Sequence, residues 1–318
     1  MITLCLPHPD FQKQLLSEVV WAQSHKLVGP TQFQGQTWVA LDIQSYIPVW
    51  AQQVWRGCQV INFESVRDAA SKIKSPGTFW HNSSEQWHRR GELILEHLAR
   101  FRSDPLKWQK NPLTLPQKNL GQFLLLSENQ LIFSDQVFPK WPDGIIRFVE
   151  DSKPPSRAYM KLWEALLVEQ INLPQSGTCL ELGASPGGWT YVLKDHFSKL
   201  ICVDKAPLST QLEWPKKIEF LKADAFKLNP DDFDSIDWLF SDMICPPESL
   251  LEQVKKWHAS GKVKNFLCTI KFQGQTDFEI VQKFLEIPNT RCRHLFNNKH
   301  EVTWLCTQND RGFLSVQS

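Results

Sequence analysis

The sequence contains no Cys-x-x-Cys pair; its eight cysteines stand apart at positions 5, 58, 179, 202, 245, 268, 292 and 306. That spacing offers no half of a tetrahedral zinc site, and several of the cysteines fall in apolar runs, where a reduced thiol acts as a small hydrophobe. No metal is expected, and a disulfide framework would be superfluous in a chain of 318 residues. Also missing is any apolar run near the ~20 residues that span a bilayer. The N-terminus lacks the basic-then-apolar pattern of a secretory signal, so the expected location is the cytoplasm with no membrane partner. Net charge is only +1. A surface that holds nucleic acid over its whole extent is thereby excluded, and any such contact must be local. Repeats and low-complexity tracts are absent. With 42% hydrophobic and 22% charged residues, the chain is an ordinary globular protein with room for two domains.

What is present is a glycine loop, Glu181-Leu182-Gly183-Ala184-Ser185-Pro186-Gly187-Gly188-Trp189, between the apolar run Thr178-Cys179-Leu180 and a helical stretch from Trp189 to Lys194. Strand, tight turn and helix in that order bring backbone close to a ligand, because glycine has no Cβ and tolerates positive φ. A P-loop would end in Gly-Lys-Ser/Thr, whereas here the glycines run into Trp189, so ATP or GTP hydrolysis is not expected. The dinucleotide pattern G-x-G-x-x-G fails too, since Ser185 holds its second glycine position. What remains is the S-adenosyl-L-methionine version of the doubly wound fold, in which an acidic residue after the second strand binds ribose hydroxyls. Asp204, ending Leu200-Ile201-Cys202-Val203, has that place.

The second half alternates strand-like and helical segments, the signature of an α/β domain built on a parallel sheet. Strands are expected at 178–184, 199–204, 218–223, 235–241, 263–271, 291–296 and 301–307, with helices near 156–171, 187–197, 248–260 and 276–286. The last two strands lie close enough for a hairpin, which makes the final one antiparallel. A boundary is expected at 148–155, where a polar stretch meets Pro154-Pro155. Before it, a helical run from Phe11 to Trp21, a strand-like piece from Thr37 to Ile43 and a hairpin of 121–126 with 130–133 indicate a smaller α+β domain. The stretch 88–118 is locally basic, with Arg89, Arg90, Arg100, Arg102, Lys107, Lys110 and Lys118. It reads as a solvated face or as an RNA-contacting strip. Of the fourteen tryptophans, most are expected to be core, although exposed ones could stack on unpaired bases.

Five segments in order carry a family resemblance: Ser156-Arg157-Ala158-Tyr159-Met160-Lys161-Leu162, the glycine loop, Ser241-Asp242-Met243, Thr269-Ile270-Lys271 and Glu301-Val302-Thr303. Together they resemble the FtsJ-type ribose 2′-O-methyltransferases over about residues 153–308, and within that family the branch that methylates a cytidine ribose of large-subunit ribosomal RNA. The resemblance implies a seven-stranded Rossmann-like methyltransferase domain at 151–318, an RNA-recognition domain similar to THUMP-containing ones at 1–150, and ribosomal RNA as partner. It maps a Lys-Asp-Lys-Glu tetrad onto Lys161, Asp242, Lys271 and Glu301. Two departures fall on the substrate side: Pro246-Pro247 soon after Asp242-Met243, and Phe272-Gln273-Gly274 after Lys271.

On this reading Lys271 is the general base, Lys161 the like-charge neighbour that lowers its pKa, Asp242 the group that orients Lys271 and faces the sulfonium, and Glu301 the residue that holds a lysine in place. Gly183, Ser185, Pro186, Gly187, Gly188 and Trp189 line the methionine part of the cofactor. Asp204 takes its ribose, Asp224 with Ala225 its adenine edge, and Asp242 the side nearest the methyl group. Amino-group methylation would call for an Asn/Asp-Pro-Pro-aromatic segment, but here the prolines stand too far on and no aromatic follows. Cytosine carbon-5 methylation needs a nucleophilic cysteine; Cys245 and Cys268 are near enough in sequence, yet neither follows a proline. A non-catalytic RNA-binding descendant would have no use for four costly buried charges.

Overall fold

The computed structural model describes residues 1–43, 46–108 and 118–308. It divides into two compact units, Met1–Val149 and Glu150–Ser318.

The first unit contains β1 (Ile2–Pro7), α1 (Gln12–Ser24), β2 (Thr31–Gln34), β3 (Val39–Asp42), β4 (Ala51–Arg56), β5 (Gln59–Asn62), α2 (Val66–Ile73), β6 (Thr78–Asn82), α3 (His88–Leu95), β7 (Asn119–Ser127), β8 (Gln130–Ser134) and β9 (Gln136–Phe138). They form a five-stranded sheet ordered β2-β3-β1-β4-β9 and a four-stranded sheet ordered β5-β8-β7-β6. The hairpin of β7 and β8 is antiparallel, as the sequence indicated, and β6 joins its other side in parallel. Local chemistry sets the helix starts: Ser65 caps α2 by accepting from Asp68 N at 3.2 Å, satisfying one of the donors that a helix leaves free at its first turn. Trp38 and Trp55 share one apolar cluster with Leu4, Ala40 and Leu124. Trp80 and Phe123 anchor a second beneath α2 and α3.

The second unit runs α4 (Tyr159–Val168), β10 (Thr178–Leu182), α5 (Gly188–Leu193), β11 (Lys199–Asp204), β12 (Ile218–Lys222), β13 (Ile236–Ser241), α6 (Pro247–Ala259), β14 (Val263–Lys271), α7 (Phe278–Leu285), β15 (Thr290–Arg293) and β16 (Glu301–Cys306). Its sheet is ordered β12-β11-β10-β13-β14-β16-β15. Neighbours from β12 to β14 are parallel, while β16 runs antiparallel to both β14 and β15. Central strands buried on both faces explain the unbroken apolar runs in the sequence. Pro247 opens α6, where its missing N–H costs nothing, and Asp277 caps α7 by accepting from Ile280 N at 3.1 Å.

Strand order reverses between β10 and β13, and a crevice forms beyond the carboxyl ends of strands at such a point. Several expected boundaries shift by a few residues, and among the strands of this sheet the largest shift is at the penultimate one. The penultimate strand stops at Arg293, so the link to β16 spans residues 294–300. Buried Glu164 on α4 holds that link, accepting from Phe296 N and Asn297 N at 2.7 Å each.

Candidate active site

The crevice beyond β10 and β13 is a cavity of about 400 Å³. Gly183, Ser185, Pro186, Gly188, Trp189, Asp204, Asp242 and Lys271 all line it. Each arrives from the end of an element. The glycine loop links β10 to α5, Asp204 ends β11, Asp242 follows β13, and Lys271 is the last residue of β14.

Four charged side chains meet at one edge of this cavity. Lys161 Nζ lies 2.9 and 3.0 Å from the two Asp242 carboxylate oxygens and 2.9 Å from Glu301 Oε1. Lys271 Nζ lies 3.0 Å from Asp242 Oδ1 and donates to the Asp242 main-chain oxygen at 2.6 Å. Thr269 Oγ1 donates to Asp242 Oδ1 at 2.7 Å. Register explains the meeting, because Lys271 at the end of β14 pairs directly with Glu301 at the start of antiparallel β16.

Electrostatics follow from this geometry. Burial would raise the Asp242 pKa, but the ammonium groups of Lys161 and Lys271 outweigh it and hold the carboxyl below its usual range. Burial would lower Lys161, yet the carboxylates of Asp242 and Glu301 prevail and raise it. This revises the expected role of Lys161. Bracketed by two anions, its charge is neutralised locally, so it does not act on Lys271 as an uncompensated like charge. Neither Lys161 nor Glu301 lines the cavity; both stand behind Asp242.

The loop's glycines hold the positive φ that the sequence reading allowed for, and the protein's own packing adds a second demand for glycine. A Cβ on Gly183 would press on the Met243 backbone at 3.0 Å, and one on Gly187 would strike the Trp214 ring at 2.7 Å. Both residues also hold positive φ, +78° and +111°. The protein's own packing and backbone conformation therefore require glycine there, and Gly187 does not line the cavity. Trp189 is buried and donates from its indole to Ala158 O at 3.0 Å, fixing the loop against the segment before α4. Asp204 accepts from Ser185 N at 3.0 Å and Ala206 N at 2.9 Å, so it shapes the loop while facing the cavity. Asp224 and Ala225 are not part of this lining. Asp224 caps a short turn through Phe226 N at 3.1 Å and pairs with Lys205 at 3.0 Å.

Sequence reading gave no role to several lining or supporting residues, Thr269, Glu181 and Ile244 among them. Thr269 lies two positions before Lys271 and so shares its face of the strand, a spacing that could have exposed it. Glu181 is buried beneath the loop with Thr190 Oγ1 donating to it at 2.7 Å, and burial pushes its carboxyl up to about 8. Ile244 lines the cavity while 86% exposed, two residues after Asp242; no sequence signal marked it. Burial raises the thiol pKa of both Cys245 and Cys268, which leaves neither suited to act as a nucleophile.

In the first unit, the cations of the 88–118 stretch are partly committed. Arg90 donates to Asn129 Oδ1 at 3.1 Å and stands over Phe63, Arg100 pairs with Glu92, and Lys118 stands over Phe79. Arg89, Arg102 and Lys107 are exposed, and Lys110 lies outside the described residues. Among the described residues no group of three or more His, Cys, Asp or Glu is placed to hold a metal ion, and no helix is long and apolar enough to cross a membrane.

Residues 154–295 match the FtsJ-like methyltransferase family. The motif resemblance and the family match thus fall on the same part of the chain, although Glu301 lies beyond the matched segment. Relatives carry the name Ribosomal RNA large subunit methyltransferase M. That of Azoarcus sp. (strain BH72) is 29% identical over 179 residues, 51% of this chain and 49% of the relative. That of Halorhodospira halophila is 29% identical over 198 residues, 59% and 57% of the two. That of Shewanella woodyi is 31% identical over 189 residues, 54% and 52%. The chain spans about half the length of the curated relatives it matches.

Proposed function

We propose that the chain is an S-adenosyl-L-methionine-dependent methyltransferase acting on a ribose 2′-hydroxyl, with a cytidine of large-subunit ribosomal RNA as its target. The observation that carries this reading is the meeting of Lys161, Asp242, Lys271 and Glu301 at the mouth of the glycine-loop cavity. The relatives' name, Ribosomal RNA large subunit methyltransferase M, supports large-subunit ribosomal RNA as the substrate; the cytidine and its ribose oxygen rest on the motif resemblance.

A 2′-hydroxyl is a poor nucleophile near neutral pH, so the site must position it and take its proton. When bound, S-adenosyl-L-methionine supplies a methyl group already activated by the positive sulfonium. The residues fit such a ligand: the cavity is of ligand size, the 183–189 loop opens on it, and a carboxylate stands at Asp204 for a ribose. Lys271 is assigned as the base because it reaches the cavity, whereas Lys161 is locked behind Asp242. The four side chains carry two positive and two negative charges. Lys271 Nζ, at the cavity wall, is the group placed to take the proton of the hydroxyl. Asp242, fixed by Thr269, orients Lys271, and Glu301 fixes Lys161. Residues 1–150 are assigned the selection of RNA, and a THUMP-like domain is the reading for them.

The test is the product. Ribosomal RNA from cells lacking this protein is incubated with the chain and radiolabelled S-adenosyl-L-methionine, then hydrolysed in alkali. A methylated 2′-oxygen cannot attack the adjacent phosphate, so label is expected in an uncut dinucleotide that contains cytidine. Label confined to mononucleotides would overturn ribose methylation and bring back methylation of a base.

A further inference from the structure

A second cavity, of about 240 Å³, opens in the first unit between the β2–β3 connection and the residues leading into α3. Its wall is built by a tight turn: Gly35 N donates to Trp38 O at 3.0 Å, while Glu85 accepts from Gln36 N at 2.9 Å and Thr37 N at 2.7 Å. The Glu85 carboxylate is thus engaged in holding the turn. Trp38 is only 6% exposed, yet its indole N–H has no acceptor among the described residues. A Cβ at position 35 would overlap that indole nitrogen, so Gly35 is what leaves it uncovered. Across the opening stands Trp87, 41% exposed; no other tryptophan among the described residues is exposed. Its backbone sits at φ +52°, a left-handed conformation that is costly for an aromatic residue. Strain of this kind persists where the surroundings enforce it, and it gathers at ligand sites. Gln34 and Gln86 also line the cavity with amides that make no hydrogen bond among the described residues, and exposed Arg89 follows on α3.

An exposed aromatic ring, a recessed N–H donor and two amides that both donate and accept are the chemistry that recognises a planar heteroaromatic ring with acceptors on its edge. We propose that this cavity takes one unpaired nucleobase of the RNA substrate, stacked on Trp87, with an acceptor on its edge receiving the Trp38 indole N–H. The assignment rests on the reading of the chain as an RNA-modifying enzyme and locates one contact by which the first unit holds that RNA.

The full chain is titrated by fluorescence anisotropy with a short unstructured oligouridine carrying one 4-thiouridine, which is then photocrosslinked and the adduct mapped by mass spectrometry. Trp87→Ala is expected to weaken binding about tenfold. Trp38→Phe, which keeps an apolar ring and deletes the donor, and Gly35→Ala, whose Cβ would force the Trp38 indole or the turn out of place, are each expected to weaken binding by about fivefold. Crosslinks are expected in the peptides containing residues 34–38 or 85–87. Affinity within twofold of the parent in all three folded variants, or crosslinks confined elsewhere, overturns the site. S-adenosyl-L-methionine binding and methyl transfer by the parent separate the two readings. A parent that methylates RNA yet shows neither signature refutes the nucleobase site alone, and a parent that crosslinks here without methylating refutes the enzyme reading alone.

Discussion

Replacing Lys161 by methionine tests the charge cluster through stability, independently of activity. Lys161 is 13% exposed and is the cation beside Glu301, itself 6% exposed. Asp242 keeps Lys271 when Lys161 is lost, whereas the Glu301 carboxylate keeps, among the described residues, only a long contact from Lys299 N at 3.4 Å. Removing one partner of a buried pair costs about 3–5 kcal/mol, because the other charge stays buried and uncompensated. Most of that cost should trace to Glu301, so adding Glu301→Gln to Lys161→Met should recover more than half of it. Urea unfolding of the parent, both single variants and the double variant at pH 5 and pH 8 gives the cycle. A Lys161→Met penalty below about 1 kcal/mol at pH 8, or no recovery in the double variant, would refute the pairing.

Lys271→Arg should abolish methyl transfer while leaving S-adenosyl-L-methionine affinity within a few-fold, since a guanidinium stays protonated near neutral pH; single-turnover rates close to the parent's would remove Lys271 from the role of base. Ile244→Ser should raise the KM for RNA severalfold with cofactor affinity unchanged, because this apolar side chain stands open beside Asp242; an unchanged KM would show that substrate does not reach it. Burial raises Glu18 and Glu164 to about 7 and Glu181 to about 8, so the folded chain retains protons that the unfolded chain has lost between the ordinary glutamate value and those values. Unfolding free energy should therefore fall by about a few kcal/mol from pH 5 to pH 8 and level off above; a flat or rising profile would contradict the raised values. The lowered Asp242 and Asp237 act oppositely, with stability lost on acidification below the usual aspartate range.

The second unit was legible because its strands are buried on both faces. Runs such as Leu200 to Val203 and Phe266 to Ile270 admit no other simple reading, and Gly183 and Pro247 mark element ends by their backbone limits. Motif order brought the tetrad together on paper, but spacing could not show that Glu301 reaches Lys161 and not Lys271, since that depends on which side of β14 the helix α4 stands. The cause of Gly187 was equally hidden, because its neighbour Trp214 lies in a connection with no local signature. Asp224 illustrates the opposite limit: an acidic residue after a strand fits cofactor binding and turn capping alike, and the structure shows the capping bond to Phe226 N. The first unit was harder to read. Its strands are short and pair across long separations, as β4 with β9 and β5 with β8, so which edges meet is decided by packing and not by periodicity.

The reversal of one strand accounts for the fourth charge of the cluster. Had β16 run parallel to β14, its first residue would lie at the opposite edge of the sheet from Lys271; running antiparallel, it sets Glu301 directly across from Lys271. Reversal places a demand on the connection before it, whose backbone N–H groups need partners wherever they are shielded from water. Glu164 supplies two of these contacts, to Phe296 and Asn297. It lies three residues after Lys161 on α4, a spacing that puts both side chains on one face of the helix. A single helix face therefore holds the connection that leads into β16 and, one turn earlier, neutralises the residue with which β16 begins. Lys161 and Glu301, far apart in sequence, are positioned by the same helix, and the cluster depends on α4 as much as on the strand ends that bound the cavity.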